Sequence, residues 1–145
     1  MNIKTILATK GANVITIAPE KTVRDALETL VGHNIGALVV VDTGNKPVGI
    51  ISERDVVRLA AKNEQFFLVA VGQVMTTHVI TCIPQDEIRA IANVMTEQRI
   101  RHLPVVDADG TLIGIVSIGD IVKAERDQFE GEADTLRTQI LADAV

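Results

Sequence analysis

Short apolar runs rich in β-branched residues alternate along the chain with segments in which apolar residues recur at helical spacing. The runs are too short for helices and favour buried strands, whereas the longer segments have the pattern of amphipathic helices. The predicted strands are Val14–Ile17, Ile35–Asp42, Pro47–Ser52, Val79–Ile83, Leu103–Asp107 and Leu112–Ser117; the predicted helices are Ile3–Lys10, one from Thr22, one from Ser52 to about Asn63, Asp86–Gln98, and one from Ile118 to the C-terminus.

The same order of elements occurs twice. Aligning residues 14–60 with residues 79–125 at a fixed offset of 65 needs no gap, and 15 of the 47 aligned pairs are identical. The unit is too long, and two copies are too few, for a solenoid. We therefore expect an α/β (α+β) fold in which two β-α-β-β-α repeats pack face to face with pseudo-twofold symmetry. The first domain, 1–70, would hold an N-terminal helix and the first repeat; the second, 71–145, would hold the second repeat and an extended helix.

Two segments outside the repeats are also apolar. Between the repeats, Phe66, Phe67, Leu68 and Val71 are too apolar for a free linker, so this connection should lie against the structure. The last helix carries a heptad-like seam that extends beyond the repeat. The seam either covers the core of its own chain or, as we expect, meets a second subunit in a homodimer. Its residues are Phe129, Ala133, Leu136 and Ile140.

Composition narrows the functional classes. The 145 residues suffice for one compact domain or two half-domains that share a core. Nucleic-acid binders carry a basic surface and aromatic side chains on which bases stack. The net charge of −5 and the absence of Trp and Tyr therefore argue against a nucleic-acid binder. A single cysteine, Cys82, excludes an internal disulfide. Without a signal peptide or an apolar run of about 20 residues, we expect a cytoplasmic protein that does not enter membranes.

One short sequence motif occupies the same place in both repeats. Gly49–Asp55 reads Gly-Ile-Ile-Ser-Glu-Arg-Asp, and Gly114–Asp120 reads Gly-Ile-Val-Ser-Ile-Gly-Asp. Each serine joins a strand to a helix, whose free N–H groups favour an anion by roughly 0.3–1 kcal/mol. The aspartate three residues later suits a vicinal diol, because a carboxylate only accepts hydrogen bonds. The alternative is a capping box, which contributes about 1 kcal/mol to helix stability.

This twofold unit, with a proline after the first strand of each repeat, resembles a pair of cystathionine-β-synthase (CBS) domains over nearly the whole chain. The resemblance implies an adenosine-containing ligand, such as AMP, ADP, ATP, NAD or S-adenosylmethionine, in the cleft between the repeats. It also implies the stand-alone type of module, which would act in trans on an unknown protein target.

The resemblance assigns roles to matching residues. It implies that the aspartates bind ribose, that the serines bind phosphate, and that a threonine of each first strand borders the base. A basic pair before the second repeat's Leu-Pro-Val would bind phosphate, whereas the first repeat has a glycine and an alanine there, so the two sites should be unequal. The residues concerned are Asp55 and Asp120, Ser52 and Ser117, Thr16 and Thr81, Arg101 and His102, and Gly36 and Ala37.

Arg54 predicts a further inequality, because its counterpart in the second repeat is Gly119. A guanidinium beside the phosphate position would favour a compact anion such as AMP at the Asp55 site. The Asp120 site would leave room for a larger ligand such as a dinucleotide, with Arg101 and His102 as possible donors from its own repeat. The sequence itself does not rank AMP, ATP and NAD.

Catalysis and metal binding have weaker support in the sequence. No nucleophile–base pair, phosphate-binding loop or dinucleotide fingerprint follows a predicted strand, so we expect binding without turnover. The three histidines and Cys82 match no metal-ligand spacing, and Cys82 is expected to be a small buried hydrophobe. A structural dimerisation module with empty clefts and a metal-binding CBS pair remain the alternatives.

Overall fold

The computed structural model describes residues 1–143. Within this range six helices and two small sheets form, and the predicted α/β fold of two similar repeats is confirmed. A single 3-10 turn, Phe66–Leu68, lies between the repeats. In chain order the other elements are α1 (Ile3–Lys10), β1 (Thr16–Ile17), α2 (Val23–His33), β2 (Ala37–Val41), β3 (Pro47–Ser52), α3 (Glu53–Ala60), α4 (Val71–Val74), α5 (Ile88–Gln98), β4 (His102–Val106), β5 (Leu112–Ser117) and α6 (Ile118–Asp143).

The sheets of the two repeats differ at their first strand. In the first repeat, β1 pairs in parallel with β2, which pairs antiparallel with β3. In the second repeat, β4 and β5 form the antiparallel pair, but the predicted strand Val79–Ile83 is reduced to a single bridge between Cys82 and Val105. Pro104 stands where the first repeat has Val39 and has no N–H to donate, which shortens the ladder.

Each repeat completes its hydrophobic core with a segment that precedes the other repeat. Ile3 and Ile6 of α1 are buried in the core of the second repeat, and the N–H of Lys4 donates to the carbonyl of Pro84 at 2.9 Å. Val71 of α4 is buried in the core of the first repeat, as expected for an apolar connection. The domain boundary near residue 70 therefore stays a prediction, because the two cores exchange segments across it.

Helix α6 continues well past the second core. Its first turns pack there through Ile121, which is buried. The predicted seam lies beyond, with Phe129 75% exposed and Leu136 and Ile140 each 57% exposed. The seam therefore does not cover the core of its own chain. Among the described residues, no helix is both long and apolar enough to cross a membrane.

Candidate functional site

A cleft of about 450 Å³ opens between the repeats at the end of β3 and the start of α3. We call it the Asp55 cleft. The first repeat contributes the β3–α3 junction and the start of β2, and the second contributes the loop before β4 and the segment 76–80. The structure thus brings together seven residues that the sequence singled out: Gly36, Ala37, Ser52, Arg54, Asp55, Arg101 and His102.

Ser52 and Asp55 form a reciprocal cap at the start of α3. Oδ2 of Asp55 accepts from the N–H of Ser52 at 2.9 Å and from its hydroxyl at 3.0 Å, while the N–H of Asp55 donates to Ser52 Oγ at 3.3 Å. The capping box is therefore present in this repeat. It occupies Oδ2, and within the described residues Oδ1 of Asp55 accepts no hydrogen bond, which leaves an acceptor for a ligand.

The backbone places the neighbouring positions beside this cap. Ala37 pairs with Ser52 in the sheet register, and the N–H of Glu53 donates to the carbonyl of Gly36 at 3.0 Å. Gly36 and Ala37 bring almost no side chain into the cleft. This wall of the Asp55 cleft therefore stays open, and the cationic side chains of the cleft belong to other segments.

The cleft is strongly basic in an otherwise acidic protein. Arg54 was predicted here, whereas Arg101 was predicted, with His102, as a possible donor at the Asp120 site; the structure places it in the Asp55 cleft and adds Arg58 and Arg99 to the lining. Arg58 follows Arg54 by one helical turn, a spacing that places both on one side of α3 and that could have been recognised from the sequence. His78 also lines the cleft, and the carboxylates there are those of Glu53 and Asp55. The balance of charge favours an anionic ligand.

His102 lies in the wall shared by the two junctions. It lines the Asp55 cleft, yet it pairs with Ser117 of its own repeat in the sheet register. Burial lowers the pKa of His102, and Lys10 and Arg101 lower it further, while Asp120 acts in the opposite sense. The imidazole is therefore neutral near pH 7 and can donate or accept a hydrogen bond.

The second junction repeats the cap and adds a lysine. Oδ2 of Asp120 accepts from the N–H of Ser117 at 2.8 Å, and the N–H of Asp120 donates to Ser117 Oγ at 3.1 Å. Lys10 Nζ donates to the same Oδ2 at 2.7 Å. Partial burial acts to raise the pKa of Asp120, but the hydrogen bonds from Lys10 and Ser117 outweigh it and hold the pKa below its usual value.

Four of the eleven predicted residues lie away from the Asp55 cleft: Ser117 and Asp120 at the second junction, and the two threonines, Thr16 and Thr81. Thr16 lines a separate, open groove beside α2, and Thr81 is exposed. Their assignment to the base stays a prediction. Cys82 is buried, as expected, and burial together with Asp86 raises the pKa of its thiol to about 12. Across residues 1–143 no group of three or more His, Cys, Asp or Glu side chains is placed to hold a metal ion.

Known proteins resemble the chain over both repeats. The family model described as the CBS domain matches residues 3–62 and 71–127. The mitochondrial CBS domain-containing protein CBSX3 of Arabidopsis thaliana is 38% identical over 126 residues, which are 83% of this chain and 61% of that protein. The crystal structure of the CBS-domain containing protein ATU1752 of Agrobacterium tumefaciens is 37% identical with a TM-score of 0.81, over 86% of this chain and 99% of that one.

A third similar protein was solved with ligands. The CBS domain pair of protein MJ0100, in complex with 5′-methylthioadenosine and S-adenosyl-L-methionine, is 30% identical with a TM-score of 0.78, over 88% of this chain and 98% of that one. The family model matches once in each repeat, and each match contains one copy of the serine–aspartate junction. The chain therefore belongs to the CBS domain family, of which it carries a tandem pair.

Proposed function

We propose that the protein is a non-catalytic, cytoplasmic sensor that binds a phosphorylated adenosine ligand, AMP, ATP or NAD, in the Asp55 cleft and signals to a protein target in trans. The observation that carries this proposal is the convergence of Arg54, Arg58, Arg99 and Arg101 on a cleft that also holds Asp55. Guanidinium groups bind phosphate oxygens through forked hydrogen bonds. Oδ1 of Asp55 is then the acceptor for the ribose hydroxyls.

The ligands of MJ0100 support an adenosine moiety, since both contain one. The basic lining here favours a ligand that also carries phosphate. Apolar side chains are available for the base, because Ile50, Val79, Ile80 and Ile100 line the same cleft. The cleft thus offers separate surfaces for base, ribose and phosphate.

Asp55→Ala tests this assignment. Removing the carboxylate leaves the ribose hydroxyls without an acceptor, which costs about 1–3 kcal/mol, or roughly 5- to 150-fold in affinity. Calorimetric titration with AMP, ATP and NAD measures the loss. Asp109→Ala, on the exposed turn between β4 and β5, is the matched control and should bind like wild type. Wild-type affinity for every ligand in Asp55→Ala would remove Asp55 from the site.

Co-purified ligand offers a direct test. The chain has no Trp or Tyr, so the protein itself absorbs little at 280 nm, and a bound nucleotide dominates the spectrum near 260 nm. Mass spectrometry of the supernatant after denaturation would identify it. Unchanged melting temperatures with AMP, ATP and NAD at millimolar concentration would contradict the sensor function, because a ligand at 100 times its Kd stabilises by about 2.7 kcal/mol.

Helix α6 supports a second role, in homodimer formation. Phe129, Leu136 and Ile140 expose a row of large apolar side chains beyond the domain core, which a second copy of the helix could cover. Truncation after Glu125 should therefore reduce the mass measured by light scattering from that of a dimer to that of a monomer. An unchanged mass would assign association to another surface.

A further inference from the structure

Asp120 differs from Asp55 by one contact, although the two carboxylates hold equivalent places. Lys10, the last residue of α1, donates from Nζ to Oδ2 of Asp120 at 2.7 Å and to the carbonyl oxygen of Ile115 at 2.9 Å. Both charged side chains are partly shielded from water. Shielding strengthens their attraction relative to a fully exposed ion pair. No cation in residues 1–143 forms such a pair with Asp55.

A comparison with the first repeat shows which contact Lys10 replaces in the second. The counterpart of Ile115 is Ile50, whose carbonyl accepts from the backbone N–H of Thr76 at 2.8 Å. Met75 packs on Gly49 as Leu7 packs on Gly114, and α1 continues past Leu7 to Lys10, whereas α4 ends at Val74. In the second repeat a lysine side chain thus takes over a carbonyl that a backbone N–H satisfies in the first. The same ammonium group then reaches the carboxylate.

Helix α1 holds Lys10 in this position. Ile3 and Ile6 are buried in the second core, and Leu7 packs closely against Gly114, where any side chain would collide with it. The lysine is therefore delivered by a helix anchored in the same repeat as Asp120. Two of its three N–H donors are already used, on the carboxylate and on the carbonyl.

We propose that Lys10 is an internal cation that closes the Asp120 site to nucleotide, so that each chain binds one nucleotide, in the Asp55 cleft. The inference rests on the proposed function of that cleft. A ribose diol at the second site would meet a carboxylate whose charge is already paired with the ammonium group of Lys10, and it would therefore form weaker hydrogen bonds there than with the unpaired carboxylate of Asp55. Displacing Lys10 would also remove the donor from the carbonyl of Ile115.

Calorimetric stoichiometry tests the proposal, with AMP, ATP and NAD titrated in turn. Wild type should bind one equivalent per chain, and Lys10→Met, which removes the charge and keeps an unbranched side chain, should bind two. Lys10→Gln should also bind two; it keeps a donor for Ile115 while removing the charge, and so guards against a folding defect in Lys10→Met. Lys4→Met is the matched control, with the same charge change at an exposed position of the same helix, and should bind one.

The outcomes separate this proposal from the proposed function. Two equivalents in wild type, one of them lost in Asp120→Ala, would show that Lys10 does not close the site. One equivalent in both Lys10 variants would also overturn the proposal. If wild type binds none of the three ligands, the proposed function fails, and the Lys10 variants alone decide the inference: one new equivalent supports it and none overturns it.

The ring of His102 provides a readout that needs no nucleotide. Lys10 is one of the charges that lower the pKa of His102. The midpoint of its NMR titration should therefore rise in Lys10→Met and stay unchanged in Lys4→Met. An unchanged midpoint in Lys10→Met would place the lysine away from the site in solution and overturn the proposal.

Discussion

The Asp55 cleft and the Asp120 site share their backbone and differ in their surroundings. In both, a serine caps a helix and an aspartate three residues later completes the cap. Around Asp55 the arginines of both repeats line an open space, whereas around Asp120 a lysine from α1 pairs with the carboxylate at its cap oxygen, Oδ2. The two repeats thus share the local cap and differ in the side chains that other segments place around it.

Among the variants that test this comparison, Arg54→Ala has the largest expected effect on ligand affinity. Loss of a charge-assisted phosphate contact should weaken AMP binding by about 1.5–3 kcal/mol, roughly 10- to 150-fold, and adenosine binding much less. Calorimetry with both ligands measures the difference, and Arg126→Ala, on the exposed part of α6, is the control. Equal losses for AMP and adenosine would show that Arg54 does not contact the phosphate and belongs to the solvated surface of α3.

Gly119→Arg in the Lys10→Met background should make the second site resemble the first. A Cβ at residue 119 would meet Ser117 Oγ at 3.6 Å, an ordinary contact, so the backbone accepts a side chain there. The added guanidinium should raise the affinity of the second equivalent for AMP about tenfold over Lys10→Met alone. If AMP binds equally in the two backgrounds, residues 54 and 119 do not lie beside the phosphate.

The smallest expected effect is on acid stability, at Asp120. Because the folded protein holds the pKa of Asp120 below its usual value, its contribution to stability is complete above about pH 4 and disappears as the pH falls through the lowered pKa. Between about pH 5 and pH 3, the melting temperature of Asp120→Asn should therefore fall less than that of wild type. An identical fall in Asp120→Asn and wild type would contradict the prediction.

Local signals in the sequence predicted most of the fold. Both second strands of the hairpins, Pro47–Ser52 and Leu112–Ser117, have the predicted bounds, because a proline or a turn starts them and a helix cap ends them. The shortened strand around Cys82 was missed, since it depends on Pro104 in a neighbouring strand. Propensity within one segment does not report whether its partner can donate hydrogen bonds.

The site was predicted only in part, for a similar reason. The repeat located Ser52 and Asp55, and the resemblance added Arg101 and His102. Lys10 was not predicted because it lies outside the aligned repeat and contacts Asp120, which is 110 positions away in the sequence. Such a contact follows from how α1 docks on the second core, which no local pattern reveals.

The exchange of segments between the cores has a consequence for synthesis on the ribosome. Helix α1 is synthesised first, but its buried partners Cys82, Leu103 and Ile121 are synthesised late. Its apolar face therefore stays unburied by them until most of the chain has been made. The first repeat can close as soon as Val71 emerges. A bulky fusion at Met1, whose amino group lies 3.6 Å from Glu87, would therefore disturb the half of the protein that is synthesised second.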